Sequence, residues 1–254
     1  DSLIQLEPRA NETHLRTEDI LKTIADNKDT LAMVCLSGIQ YYTGQFFDIE
    51  KITKFAHQFP EIVVGWDLAH AVGNVVLRLH DWGVDFACWC SYKYLNAGPG
   101  GIGGLFVHSS LTQDSSRPRL AGWWGNHASQ RFKMKEKFDP IPGALGFRQS
   151  NPSVIDVVSL KSSLELFAKF GGIGKVRERS LKLTHYLLKL LKDSPYYYES
   201  IQTDKKGFTI ITPVENDEDH GAQLSLLFFP HYANNPEGDT MEQVFKYINS
   251  RGVI

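Results

Sequence analysis

The chain is predicted to be an α/β protein built on a mainly parallel sheet, and three observations carry that prediction. Residues 31–36 and 62–66 are short apolar runs, the second rich in β-branched and aromatic side chains, as buried strands are. Between them Ile49, Ile52, Phe55, Ala56 and Phe59 recur at helical spacing, which makes a strand–helix–strand unit with a right-handed crossover. A third apolar run, residues 84–90, follows at the same kind of interval.

Each element has its own local cause. Thr17 stands before Glu18 and Asp19, two acids suited to a helix's first turn, and Ile20, Leu21, Ile24 and Ala25 form one apolar face. The strand 31–36 ends at Ser37-Gly38, where a hydroxyl and a glycine permit close approach of a ligand; a turn serine explains the pair equally well. Asp48 caps the next helix and Pro60 closes it. The strand 62–66 then ends on Asp67. Residues 68–76 are too short, and too interrupted by Gly73 and Asn74, for a long helix. The run 84–90 delivers Ser91-Tyr92-Lys93. Residues 98–104 are a glycine-dense turn before another strand at 105–107, and they lack the spacing of a dinucleotide fingerprint.

The second half changes character. A polar loop is expected over 109–118, and prolines and glycines cluster over 138–153. An amphipathic helix is expected over 154–170, apolar at Val158, Leu160, Leu164, Leu166 and Phe167 and stopped by Gly171-Gly172. A second helix over 173–191 is apolar at Val176, Leu181, Leu183, Leu187, Leu188 and Leu191, with its basic positions on a solvated face. Strands over 208–212 and 223–229 flank the acidic loop 215–219, and a last helix covers 241–250. The expected division is residues 1–145, part of a large domain, and residues 146–254, a linker helix with part of a small α+β domain.

Composition excludes several classes. With 42% apolar and 22% charged residues the chain is an ordinary globular one, and a net charge of −2 provides no footprint for nucleic acid or an anionic membrane surface. No run approaches the length of a membrane helix and no signal peptide opens the chain, so a cytoplasmic protein is expected. Cys35, Cys88 and Cys90 all fall in strand-like runs, which predicts reduced, buried thiols; no second Cys/His cluster accompanies them, and no metal site is predicted.

In an open α/β sheet, ligands gather beyond the carboxyl ends of the strands, so Asp67, His70, Tyr92 and Lys93 are expected around one crevice. A lysine closing one strand and a carboxylate closing its neighbour suit pyridoxal 5′-phosphate, which needs an amine for its carbonyl and an acid against its ring nitrogen. Spacing alone leaves open that Asp67 caps a turn, that Lys93 is a solvated loop lysine and that His70 is structural.

Longer stretches narrow this. Asp67-Leu68-Ala69-His70-Ala71-Val72-Gly73-Asn74 and residues 81–98, which contain Trp89-Cys90-Ser91-Tyr92-Lys93-Tyr94-Leu95-Asn96, closely resemble the kynureninases, fold-type-I pyridoxal phosphate enzymes. The resemblance continues through Ser37-Gly38, Tyr42-Thr43-Gly44-Gln45, Gly122-Trp123-Trp124-Gly125, Arg131-Phe132-Lys133-Met134, Ile141-Pro142-Gly143 and Gly146-Phe147-Arg148-Gln149-Ser150-Asn151-Pro152.

That resemblance implies a homodimer that hydrolyses L-kynurenine or 3-hydroxy-L-kynurenine to alanine and anthranilate or 3-hydroxyanthranilate, in tryptophan catabolism leading toward NAD. It implies Lys93 as the cofactor-bearing lysine and catalytic base, Asp67 as the partner of the ring nitrogen and Tyr92 as a proton shuttle near the cofactor phosphate. Ser37, His70 and Asn151 become cofactor-site residues, and Trp123 reaches that site across the dimer interface. Asn126 and His127 receive no role. It further implies that the chain is an internal fragment of such an enzyme, lacking the aromatic that stacks on the cofactor and the arginine that meets the substrate carboxylate, and that it does not turn over alone. Two other readings stay open: a cysteine desulfurase or aminotransferase of the same class, against which His70 and Tyr92 count, and a non-catalytic partner that only dimerises.

Overall fold

The computed structural model describes residues 2–113, 118–202, 204–229 and 240–253. Four strands, β1 (Met33–Ser37), β2 (Val63–Asp67), β3 (Phe86–Trp89) and β4 (Gly104–Val107), form one sheet in the order β1-β2-β3-β4. The first three are parallel and β4 runs antiparallel to β3. Ser37 is level with Asp67, and Asp67 with Cys88, so the parallel strands end together. A mainly parallel sheet is what the strand–helix–strand pattern predicts.

Two helices cover one face of this sheet. In α1 (Thr17–Asn27) Ile20 and Ile24 are buried, and in α2 (Ile49–Ala56) Ile49, Ile52 and Ala56 are buried. They share a core with Val34, Val64, Trp66 and Ala87 from the strands. Each such side chain removed from water contributes about 1.5–3 kcal/mol if large. The Trp66 indole N–H is satisfied inside that core, donating to Thr53 Oγ1 at 3.1 Å. Asp48 caps α2 as expected, accepting the Lys51 N–H at 2.9 Å. The cap of α1 is Arg16 rather than Thr17, and its side chain makes no capping bond.

The other face corrects an expectation. Cys35 and Cys88 are exposed, not buried, as are Met33, Asp67 and Leu105. Strand alternation is the cause: these positions point away from α1 and α2, onto a face that no described element covers. An apolar run therefore did not mean burial on both sides.

Residues 109–112, expected in a loop, form a short helix, α3 (Ser109–Thr112), capped through His108; residues 114–117 of that expected loop lie outside the described residues. Short 3-10 turns occupy Trp123–Gly125 and Gly143–Phe147. The two long helices fall where periodicity put them, α4 (Val154–Lys169) and α5 (Gly172–Lys192), with Gly171 at φ 89° between them. Their faces differ from the expectation: Val158, Leu164, Leu166, Leu183 and Leu187 are exposed, while Ser163 and Thr184 are buried. Ser159 and Ser163, one turn apart on α4, donate to the carbonyls of Ala97 and Leu95, so α4 meets the sheet domain through hydroxyls.

A second, two-stranded antiparallel sheet pairs β5 (Gly207–Ile210) with β6 (Leu226–Phe229), and α6 (Thr240–Ser250) closes the described chain. The strand expected over 223–229 begins later. Gln223 and Ser225 instead reach outward, their side chains donating to the carbonyls of Tyr41 and Tyr42.

Candidate active site

The site is built at the carboxyl ends of β2 and β3. Beyond Asp67 the chain turns tightly, with the Leu68 N–H donating to the Cys88 carbonyl at 2.8 Å and the Ala71 N–H to the Leu68 carbonyl at 2.9 Å. Leu68 and Ala71 are fully buried and anchor that turn in the core. Gly73 ends it at φ +83°, where an added Cβ would stand 2.8 Å from the Tyr94 carbonyl. His70 is thus fixed between a core anchor and a glycine that lets the next loop approach.

The loop after β3 brings the lysine back to it. Ser91 is buried, the Ala97 N–H closes onto the Ser91 carbonyl at 3.0 Å, and the Asn96 N–H onto the Lys93 carbonyl at 2.9 Å. Lys93 Nζ then lies 2.9 Å from His70 Nε2. When Lys93 is an ammonium it donates and Nε2 accepts, which puts the imidazole proton on Nδ1. Nδ1 is buried without a hydrogen-bond partner among the described residues.

Lys93, His70, Asp67, Ser37 and Tyr41 line one cavity of about 240 Å³. Asp67 Oδ1 accepts the Ala69 N–H at 2.9 Å; no cationic side chain among the described residues pairs with the carboxylate. A second cavity, of about 560 Å³, opens on the other side of His70 and Lys93 against Asn74, Tyr94, Phe167 and Ser180.

The electrostatics follow from this placement. Burial, then the charge of Lys93, holds His70 below the ordinary histidine pKa, with Asp67 working in the opposite direction. Burial raises the Tyr94 phenol, whose ring meets the His70 ring edge-on at 6.2 Å. Tyr92 is 50% exposed, its pKa raised chiefly by the Cys90 thiol beside it, and its ring lies 5.7 Å from the Lys93 amine.

Four of the seven residues selected from the sequence therefore line one cavity: Ser37, Asp67, His70 and Lys93. Tyr92, Trp123 and Asn151 line neither cavity within one copy of the chain. Trp123 is 46% exposed, its ring 5.0 Å from Trp124 and 6.0 Å from Phe132. Asn151 is exposed just before α4. These two segments belong together, since Gly122 lies so close to Gln149 that a Cβ would stand 1.9 Å from its carbonyl oxygen, and Gln149 Nε2 donates to the Leu120 carbonyl at 2.7 Å.

Sequence reasoning missed Asn74, Tyr94, and the serine pair Ser159 and Ser163. The serines carried a faint signal, two hydroxyls four residues apart on the helix that follows the site. An amphipathic reading of α4 looks for apolar positions and passes over it.

The aminotransferase class-V family model matches residues 4–224. The kynureninase of Saccharomyces cerevisiae is 65% identical over 257 residues, covering 99% of this chain and 56% of that protein. The kynureninase of Candida albicans is 56% identical over 259 residues, again 99% of this chain and 56% of its own length. The chain thus spans a little over half of these relatives. Among solved structures, a cysteine desulfurase from Thermococcus onnurineus NA1 superposes with a TM-score of 0.65 at 17% identity, covering 96% of this chain and 53% of that one. A C-DES mutant with glycine covalently linked to its pyridoxal phosphate cofactor superposes with a TM-score of 0.66 at 18% identity, over 90% and 54%. At those identities the likeness is one of fold.

Proposed function

This chain belongs to the class-V aminotransferase family, and from that premise we propose that it carries the pyridoxal 5′-phosphate site of a kynureninase. The enzyme would hydrolyse the Cβ–Cγ bond of L-kynurenine, its 3-hydroxy derivative or both, releasing alanine and anthranilate or 3-hydroxyanthranilate. The observation that carries the reading is the single cavity shared by the Lys93 amine and the Asp67 carboxylate, with His70 2.9 Å from the lysine. The identity of 65% and 56% to the kynureninases of Saccharomyces cerevisiae and Candida albicans supports this reaction among those of the family.

The residues present fit that cofactor. The donor set is an amine, a carboxylate with no protein cation among the described residues, and a serine, on the ends of adjacent strands. Lys93 would hold the cofactor through its amine, Asp67 would face its ring nitrogen, and Ser37 and Tyr92 would supply hydroxyls around it. Bound there, the cofactor supplies an electron sink for a carbanion beside the substrate's amino group.

The chain's own residues would do the rest. Lys93 would take and return a proton at the substrate's α-carbon. His70, held neutral by burial and by Lys93, orients that amine without competing for its proton. Tyr92, half exposed and next to Lys93 in the chain, would offer a phenol for proton transfer to an oxygen and to the leaving carbon.

We further propose that the complete protein is a cytoplasmic homodimer acting in tryptophan catabolism toward NAD. The patch holding Trp123 and Asn151, which lines neither cavity of its own copy, would then serve the partner's site. We place residues 1–145 in the large domain and 146–254 in the linker helix and small domain. The two sheets lying on either side of that boundary support this division.

The test is an absorption spectrum after adding pyridoxal phosphate to the chain and to Lys93→Ala, followed by borohydride reduction and peptide mapping. A band lost in the variant, with the label on Lys93, is expected. Labelling spread over surface lysines and unchanged in the variant would sink the proposal. Kynurenine turnover is then measured with the full-length protein.

A further inference from the structure

Asn74 is 3% exposed and stands four residues beyond His70. Its amide joins two parts of the molecule far apart in sequence. Oδ1 accepts the Ala222 N–H at 3.0 Å, and Nδ2 donates to the His70 carbonyl at 3.0 Å. These partners settle the orientation of the amide, because an N–H only donates and a carbonyl only accepts.

The neighbouring backbone is shaped around it. A Cβ on Gly221 would stand 2.3 Å from Asn74 Nδ2 and 2.9 Å from Oδ1. Residues 211–225 connect β5 to β6 as a strap closed at its base, the Ile211 N–H donating to the Ser225 carbonyl at 2.9 Å. Arg177 on α5 donates to the Asp217 and His220 carbonyls, and Ser225 Oγ donates to the Tyr42 carbonyl at 2.6 Å. The middle of that strap meets the site through Asn74.

We infer that Asn74 is a positioning residue: through its two hydrogen bonds the 211–225 strap sets the backbone of His70, and with it the imidazole that meets Lys93. The catalytic meaning of this rests on the function proposed above, whereas the coupling itself belongs to the chain without cofactor. A buried amide with both ends engaged transmits displacement, since moving either partner orphans a buried group.

The titratable groups facing His70 are Lys93, Asp67, Tyr94 and, across the smaller cavity, Tyr41; across the second cavity stand Phe167, Val176, Ser180 and Ala222, none of which titrates in the relevant range. Loosening the His70 backbone therefore relieves burial and the lysine's charge together, and the imidazole's proton affinity rises.

The experiment follows the His70 imidazole by NMR from pH 5 to 8 in the chain without cofactor. Wild type is compared with Asn74→Ala, Gly221→Ala and a Thr53→Val control that weakens the core elsewhere. The two linkage variants are expected to shift the His70 midpoint upward while Thr53→Val leaves it in place. Midpoints that stay at the wild-type value in both, or that Thr53→Val moves equally, overturn the inference. Should neither linkage variant fold, the wild-type chain decides, because coupling is reciprocal. The protection factor of the Ala222 amide, its exchange rate divided into the intrinsic rate at each pH, must then change as His70 titrates, and a protection factor that stays constant overturns the inference. Failure of pyridoxal phosphate to label Lys93 would remove the proposed function and leave this titration to judge Asn74 by itself.

Discussion

Lys93 Nζ and His70 Nε2 stand 2.9 Å apart, while the opposite nitrogen of the same imidazole, Nδ1, is buried with no partner among the described residues. The arrangement is consistent with a neutral histidine serving a charged lysine. Protonating His70 would bury a second positive charge beside the first.

That relationship makes stability depend on pH in a definite direction. His70 has its folded-state pKa below the ordinary value, through burial and then Lys93, so the unfolded chain binds the proton more readily. Its contribution is fully present above about pH 6.5, the unperturbed histidine value, and is lost as pH falls through the folded-state value. Urea midpoints are expected to drop between pH 7.5 and 5.5 more steeply in wild type than in His70→Asn; equal slopes would contradict the assignment.

Thr53→Val removes the acceptor of the Trp66 indole N–H inside a fully buried pair. Leaving that N–H unsatisfied is expected to cost about 1–3 kcal/mol, read from urea denaturation. A near-neutral result would mean that water reaches the indole.

Gly73→Ala forces a side chain onto φ +83° and against the Tyr94 carbonyl. The expected cost is at least about 1–2 kcal/mol from the backbone alone, and Lys93 should lose its preferential labelling by pyridoxal phosphate because both arms of the site move. Preserved labelling would show that the turn adapts.

Asp67→Asn retains the Oδ1 acceptor for the Ala69 N–H and removes only the charge. In the full-length protein turnover is expected to fall by about 10² or more, the scale for losing one preorganised electrostatic contact, with the fold intact by circular dichroism. Wild-type rates would exclude Asp67 from the site.

The sequence by itself determined the strand–helix–strand order, the ends of the strands and, through them, Asp67 and Lys93. Periodicity of side chains and the punctuation of Asp48, Pro60 and Gly171 act over a few residues, and such local rules survive folding. Ser37, His70 and Tyr92 also stand within a few residues of a strand end, but position alone left each a structural explanation, and they became site candidates only through the longer stretches shared with kynureninases.

Only the tertiary structure decided which faces those elements bury. Cys35, Cys88 and Asp67 sit on strands that look buried in sequence, and are exposed because no described element covers that side of the sheet. The apolar stripe of α4 was legible, but the face it buries carries Ser159 and Ser163, because the loop at 95–97 presents carbonyls there that need donors. Asn74 was invisible for the same reason. Its partner Ala222 lies 148 residues away, and no local pattern records a hydrogen bond that exists only once two remote segments have been packed together.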